Sequence, residues 1–128
     1  MQHVLATTTP LWVTALFCAA MLAAAALLWW VAERTADGSL GRNVYAGIRT
    51  RSTRASDEAW LAAHRASLPW SRASAVTAAL TGVLVIPARS SAGATVLVVL
   101  GGTAIVLATT LIGARLGVVA AREVQASG

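Results

Sequence analysis

Residues 11–32 read LWVTALFCAAMLAAAALLWWVA, 22 consecutive positions without one ionisable side chain. At 1.5 Å of rise per residue this run makes a helix about 33 Å long, enough to cross a hydrocarbon layer of about 30 Å. Pro10 stands at its start, where a missing N–H costs nothing. Trp12 lies near one end and Trp29 and Trp30 near the other, as an interfacial aromatic belt requires. A helix buried in a soluble core can be as apolar, but it rarely carries Trp at both rims. This stretch makes the chain a membrane protein.

Composition agrees. Of 128 residues, 57% are hydrophobic and 12% charged, against roughly 25% charged in a typical soluble domain; mean hydropathy is +0.69. An ordinary soluble enzyme would need far more polar surface. The chain is also too apolar to stay solvated as a disordered polymer. Its net charge of +5 comes from ten Arg and no Lys against five acids. In a soluble protein a pI near 11.4 would point to nucleic acid. Here the excess addresses membrane orientation and anionic headgroups, and no nucleic-acid partner is expected.

Cys18 is the sole cysteine, so no intrachain disulfide is expected, and its place within the first run predicts a buried, inert thiol. Phe17 precedes it where an acylated lipoprotein needs a small residue, and no Lys or Arg occurs before Arg34. The same lack of a positive N-terminal region, with an apolar run longer than a signal peptide's, predicts that the first helix is retained.

Two further spans follow. Arg72 and Arg89 bracket 16 uncharged residues, 73–88, about 24 Å of helix. Starting at Pro69 and Trp70, with both Arg snorkelling to opposite faces, brings a span over 69–87 to crossing length. Pro87 is expected to end it. The third span is expected over 93–121, where Gly101-Gly102 would either weaken the helix or let a neighbour approach closely. The few residues between these spans predict a tight helical hairpin. A two-span alternative would leave the short middle segment outside the bilayer.

Orientation follows from the arginines. Arg34, Arg42, Arg49, Arg51, Arg54, Arg65 and Arg72 fall in 33–72, and Arg115 and Arg122 lie beyond the third span, making nine on one side against Arg89 alone on the other. The positive-inside rule then puts the long loop and the C-terminus in the cytoplasm and the N-terminus outside. The expectation is one all-α, multi-pass membrane domain over 1–128.

The connector at 33–68 has its own punctuation. Asp37-Gly38-Ser39 and Gly41-Arg42-Asn43 are turn chemistry. Ser56 is a good N-cap, and Asp57 and Glu58 suit the positive end of the helix that follows. That helix is expected over 57–68, stopping before Pro69. Trp60, His64 and Ser67 share one stripe, with Asp57, Glu58 and Arg65 on polar faces. The pattern suits a short amphipathic helix lying at the inner membrane surface.

Between turns and helix, Asn43, Gly47-Ile48-Arg49-Thr50, Thr53, Ser56, an acid at Asp57 or Glu58, Trp60 and Arg65 occur in an order that resembles the SdpI family of small bacterial membrane proteins. His64 stands where that family commonly has Asn, and Ser67 where Gly is frequent. The resemblance implies a role in immunity to, or signalling from, a membrane-active peptide toxin. The candidate residues for binding a partner or anionic lipid are Asn43, Gly47, Arg49, Thr50, Arg51, Thr53, Arg54, Trp60, His64 and Arg65.

Physically, Gly47 permits a tight turn, and the Arg49 guanidinium can grip a carboxylate or phosphate with two prongs. Asp57 or Glu58 is one carboxylate it would reach, pinning the loop to the helix start. Three readings stay open: a purely structural membrane-surface cap, anionic headgroup binding by Arg49, Arg51 and Arg54, and docking of a protein or peptide.

No catalytic constellation assembles. His3 and His64 are the only imidazoles, and the orientation separates them. There is no metal-ligand spacing, no nucleophile–base–orienter set and no Gly-rich phosphate loop. No enzyme activity, cofactor or metal is expected. Small residues recur four apart at Ala15, Ala19 and Ala23, at Ala75 and Ala79, at Ala78 and Gly82, and at Gly113 and Gly117, a spacing that lets helix backbones meet. A homo-oligomer, or an accessory subunit of a larger membrane complex, is the alternative to the partner- or lipid-binding protein. A small transporter or channel ranks third, for want of charges within the spans.

Overall fold

Each helix begins where the sequence offers its backbone a start. The computed structural model describes residues 7–128, which form three helices and, among the described residues, no strand. Helix α1, Leu11–Ala36, opens at Pro10, whose carbonyl accepts the N–H and the hydroxyl of Thr14. Helix α2, Asp57–Ala88, is capped by the Ser56 hydroxyl, which accepts from the Ala59 N–H at 3.0 Å. Helix α3, Ala92–Ser127, is capped in the same way by Ser91 on the Ala94 N–H. All three are long and apolar enough to cross a membrane, so the chain is a multi-pass membrane protein. His3 lies outside the described residues.

The helices have 26, 32 and 36 residues, about 39, 48 and 54 Å of length. A hydrocarbon layer takes about 30 Å of each. Because α2 and α3 form a hairpin turning at 89–91, their surplus projects together at one end. The connector 37–56 folds over that end as a cap.

The separate surface helix expected over 57–68 is not what forms. α2 runs unbroken through Pro69, so 57–68 are its first three turns and stand on the spanning part. Proline withholds one N–H from the ladder, but the packing straddles it: a Cβ at Gly113 of α3 would lie 2.9 Å from the Trp70 Cβ and 3.7 Å from the Ser67 Cβ. These turns pack against protein on two faces, while Asp57, Glu58, Arg65 and Ala66 stay exposed. Trp60 and His64 face the connector, and the fully buried Ala59 and Ala63 meet Ala121 of α3. Pro87 falls one residue inside the end of α2, close to the stop expected there.

α2 is the spine. α1 and α3 each pack along it, with no close backbone approach to each other. Within 73–88 all but one of its buried positions are small or polar (Ser74, Ala75, Ala78, Thr81 and Gly82, with Val85 the exception), the means by which helices associate where lipid removes the hydrophobic drive. Of the small-residue series, Ala75, Ala78 and Gly82 on α2 and Gly113 and Gly117 on α3 are buried in these contacts. Ala15, Ala19 and Ala23 on α1 are exposed. Gly101 faces open space, while Gly102 lies directly on the Thr81 side chain. The glycine pair admits a neighbour without interrupting α3.

Polar ties cross the helices at three levels. Ser74 Oγ lies 2.7 Å from Thr109 Oγ1 and 3.1 Å from Thr110 Oγ1. At the capped end, Arg72 Nε donates to Glu33 Oε1 at 2.7 Å, and its guanidinium sits 5.5 Å from the Trp29 ring centre. Arg34 is placed similarly over Trp30. At the opposite end, the Thr9 N–H donates to the Arg89 carbonyl at 2.8 Å, and the Thr9 and Thr95 hydroxyls meet at 3.1 Å. Arg72, midway along α2, and Arg89, at its C-terminal end, therefore bracket the uncharged stretch 73–88.

Candidate functional site

The cap is a loop whose polar groups are spent on one another. As α1 ends, Ser39 donates its hydroxyl and its N–H to the Asp37 carboxylate, which these bonds hold below the usual carboxylate range. Two residues of α2 then reach back to the chain: Trp60 Nε1 donates to the Leu40 carbonyl at 3.0 Å, and Arg65 Nε to the Ala36 carbonyl at 3.2 Å. Asn43 makes the next turn with its own side chain. Its Oδ1 accepts from the N–H groups of Tyr45 and Ala46 at 2.8 and 2.7 Å, and its Nδ2 donates to the Gly41 carbonyl.

Gly47 is the point of closest approach. Its φ is +95°, a backbone region that side chains disfavour. A Cβ there would lie 2.6 Å from His64 Nε2, 3.1 Å from the Trp60 ring and 3.3 Å from the Thr35 methyl. The next residue uses that proximity, as the Ile48 N–H donates to His64 Nε2 at 2.8 Å. His64 Nδ1 is 2.7 Å from the Trp60 carbonyl. A ring nitrogen facing a carbonyl must donate, and one facing an N–H must accept. The network therefore assigns a neutral imidazole protonated on Nδ1. Trp60 and His64 are buried and lie 4.2 Å apart ring to ring.

Thr50 and Thr53 close the loop. The buried Thr53 hydroxyl donates to the Ile48 carbonyl at 2.6 Å and accepts from the Thr50 N–H at 3.0 Å, while the Thr50 hydroxyl accepts from the Thr53 N–H. Gln125, near the end of α3, donates to the Ser52 carbonyl. Gly117 of α3 leaves room beneath, where a Cβ would lie 2.8 Å from Ile48 Cδ1 and 2.9 Å from the Ala63 carbonyl oxygen.

The candidates thus divide. Asn43, Gly47, Thr50, Thr53, Trp60, His64 and Arg65 hold the cap together. Arg49, Arg51 and Arg54 are exposed on it. Arg49 does not pin the loop to the helix start; its Nη1 donates to the Val44 carbonyl. Arg42 does that work, with Nε donating to Asp57 Oδ1 at 2.8 Å and Nη1 to the Arg54 carbonyl. Two cap residues carry no signal in the sequence. Arg42 meets an acid fifteen positions away across an irregular loop, a spacing without a recognisable pattern. Thr35 looks like an ordinary residue in the last turn of α1, yet it is fully buried against Gly47.

Under the cap, between α1 and α3, lies a cleft of about 320 Å³. Leu27, Leu28 and Val31 of α1 form one wall, α3 contributes Thr110 and Ala114, Ser71 and Ser74 line the floor, and the segment Tyr45–Arg49 with His64 forms the roof. No Asp or Glu lines it. Among the described residues no three His, Cys, Asp or Glu side chains come together as metal ligands.

The family model of the SdpI/YfhL protein family matches residues 39–114. This segment starts in the cap, takes in all of α2 and ends within α3, more than half of the chain. No curated protein and no solved structure matches it. The chain belongs to the SdpI/YfhL family.

Proposed function

We propose that this SdpI/YfhL-family protein is a non-enzymatic, multi-pass protein of the bacterial inner membrane, with its cap in the cytoplasm, and that the cap recognises a ligand in immunity to, or signalling from, a membrane-active peptide. One observation carries the recognition role. The polar groups inside the cap are committed to holding it rigid, while Arg49, Arg51 and Arg54 stay exposed on it and Arg49 overhangs the cleft. A rigid frame presenting unspent guanidinium donors is suited to an anionic group. The nine-to-one division of arginines supports the orientation.

Deletion of the gene followed by challenge with membrane-active peptides tests the role. Sensitivity to at least one peptide should rise and be restored by the intact chain but not by an Arg49→Ala, Arg51→Ala, Arg54→Ala triple variant. Unchanged sensitivity across the peptides removes the immunity reading. The exposed Ala15, Ala19 and Ala23 series on α1 favours a second reading, an accessory subunit of a larger complex. Purification in a gentle detergent would then bring down large partners at fixed stoichiometry.

A further inference from the structure

We infer that the cleft beneath the cap is a binding site for one anionic phospholipid, its phosphate held by Arg49 and one acyl chain lying between α1 and α3. This deepens the reading above and rests on it for the identity of the recognition site.

Access comes first. Because α1 and α3 pack on α2 and not on each other, the cleft has a side facing the bilayer. A lipid enters laterally without opening the cap. The wall from Leu27 to Val31 and on to Thr35 covers nine residues of α1, about 12 Å of rise from first to last, apolar below and polar at the roof. That gradient matches an amphiphile lying along the membrane normal.

Width favours a lipid chain over a peptide helix. An α-helix is about 10–12 Å across with its side chains, whereas an extended acyl chain is far narrower and needs less of the gap that α1 and α3 leave between them over α2.

Charge decides which lipid. Arg49 is the sole Arg among the lining residues and no acid accompanies it. One of its donors goes to the Val44 carbonyl, which fixes the side chain at the lip and leaves the rest of the guanidinium fork for phosphate oxygens. Ser71 and Tyr45, which also line the cleft, add side chains that carry hydroxyls. His64 also lines the roof, but its ring is neutral and both nitrogens are engaged.

Native mass spectrometry of the full chain in detergent, titrated with phosphatidylglycerol, phosphatidylcholine or inorganic phosphate, tests this. One phosphatidylglycerol per chain should be retained, about tenfold more tightly than phosphatidylcholine, the scale of one charge-assisted contact. Arg49→Gln should erase that preference, and Ala114→Phe, which fills the cleft, should abolish retention of both lipids. Arg122→Gln removes an equal charge from exposed α3 and should change nothing. Helical content by circular dichroism qualifies each variant; should Ala114→Phe misfold, Arg49→Gln still decides. Equal retention of the two lipids, retention unaffected by Arg49→Gln, or binding of phosphate alone overturns the inference. So does a peptide that co-purifies and excludes phosphatidylglycerol. If lipid selectivity fails while the intact chain still protects against peptide, this inference falls and the functional reading stands. Selectivity without protection removes the functional reading and leaves the lipid site in place.

Discussion

At Gly47 the backbone runs so close to His64 that one methyl group would collide with the imidazole. Gly47→Ala meets both that clash and the positive φ, and should destabilise the cap by about 2 kcal/mol. The measurement is limited proteolysis of 37–56, with faster cleavage expected; an unchanged rate would show that the turn is not under this constraint. The same contact carries a pH dependence. His64 must be neutral to accept from Ile48, so its contribution is complete above the ordinary imidazole value of about 6.5 and is lost as pH falls below it. Asp37, held below the usual carboxylate range, does not titrate in that window. Loop cleavage should therefore accelerate as pH falls below about 6.5, and a His64→Leu variant should give a flat profile. A flat profile in the unaltered chain would contradict the assigned tautomer. Much of this site is legible as an ordered set of residues: Asn43, Gly47, Thr53 and Trp60 all sit where turn and helix chemistry need them. The Arg42–Asp57 pair is not, because an exposed ion pair imposes no hydrophobic period on the sequence around it.

Among the elements, α2 departs most from expectation. Local preference puts a stop before Pro69, yet the helix continues, because Ser67 and Trp70 on either side of the proline are held against Gly113 of α3. Tertiary contact overrides propensity there, and no single-residue rule shows it in advance. The spans are legible for the opposite reason: a missing charge is visible position by position. α3 offers an internal comparison. Gly117→Leu drives a side chain into Ile48 and the Ala63 carbonyl, whereas Gly101→Leu meets open space. The first should destabilise by about 1–3 kcal/mol, and the second should be neutral or slightly stabilising, as Leu is the better helix former. Thermal unfolding in detergent checks both. Equal effects would mean that α3 does not seat on α2 through Gly117.

The whole molecule is asymmetric along the membrane normal. One end is a short turn joining α2 to α3; the other carries the projecting turns of both helices, the folded connector and nine of the ten arginines. Every function proposed for the cap depends on which compartment that end faces. The most direct measurement is cysteine accessibility in living cells, using Arg51→Cys in a Cys18→Ser background and a membrane-impermeant thiol reagent. Position 51 is exposed on the cap, so burial does not hide it. The cap facing the cell interior predicts no labelling in intact cells and strong labelling after permeabilisation. Equal labelling before and after would put the arginines outside and contradict the account.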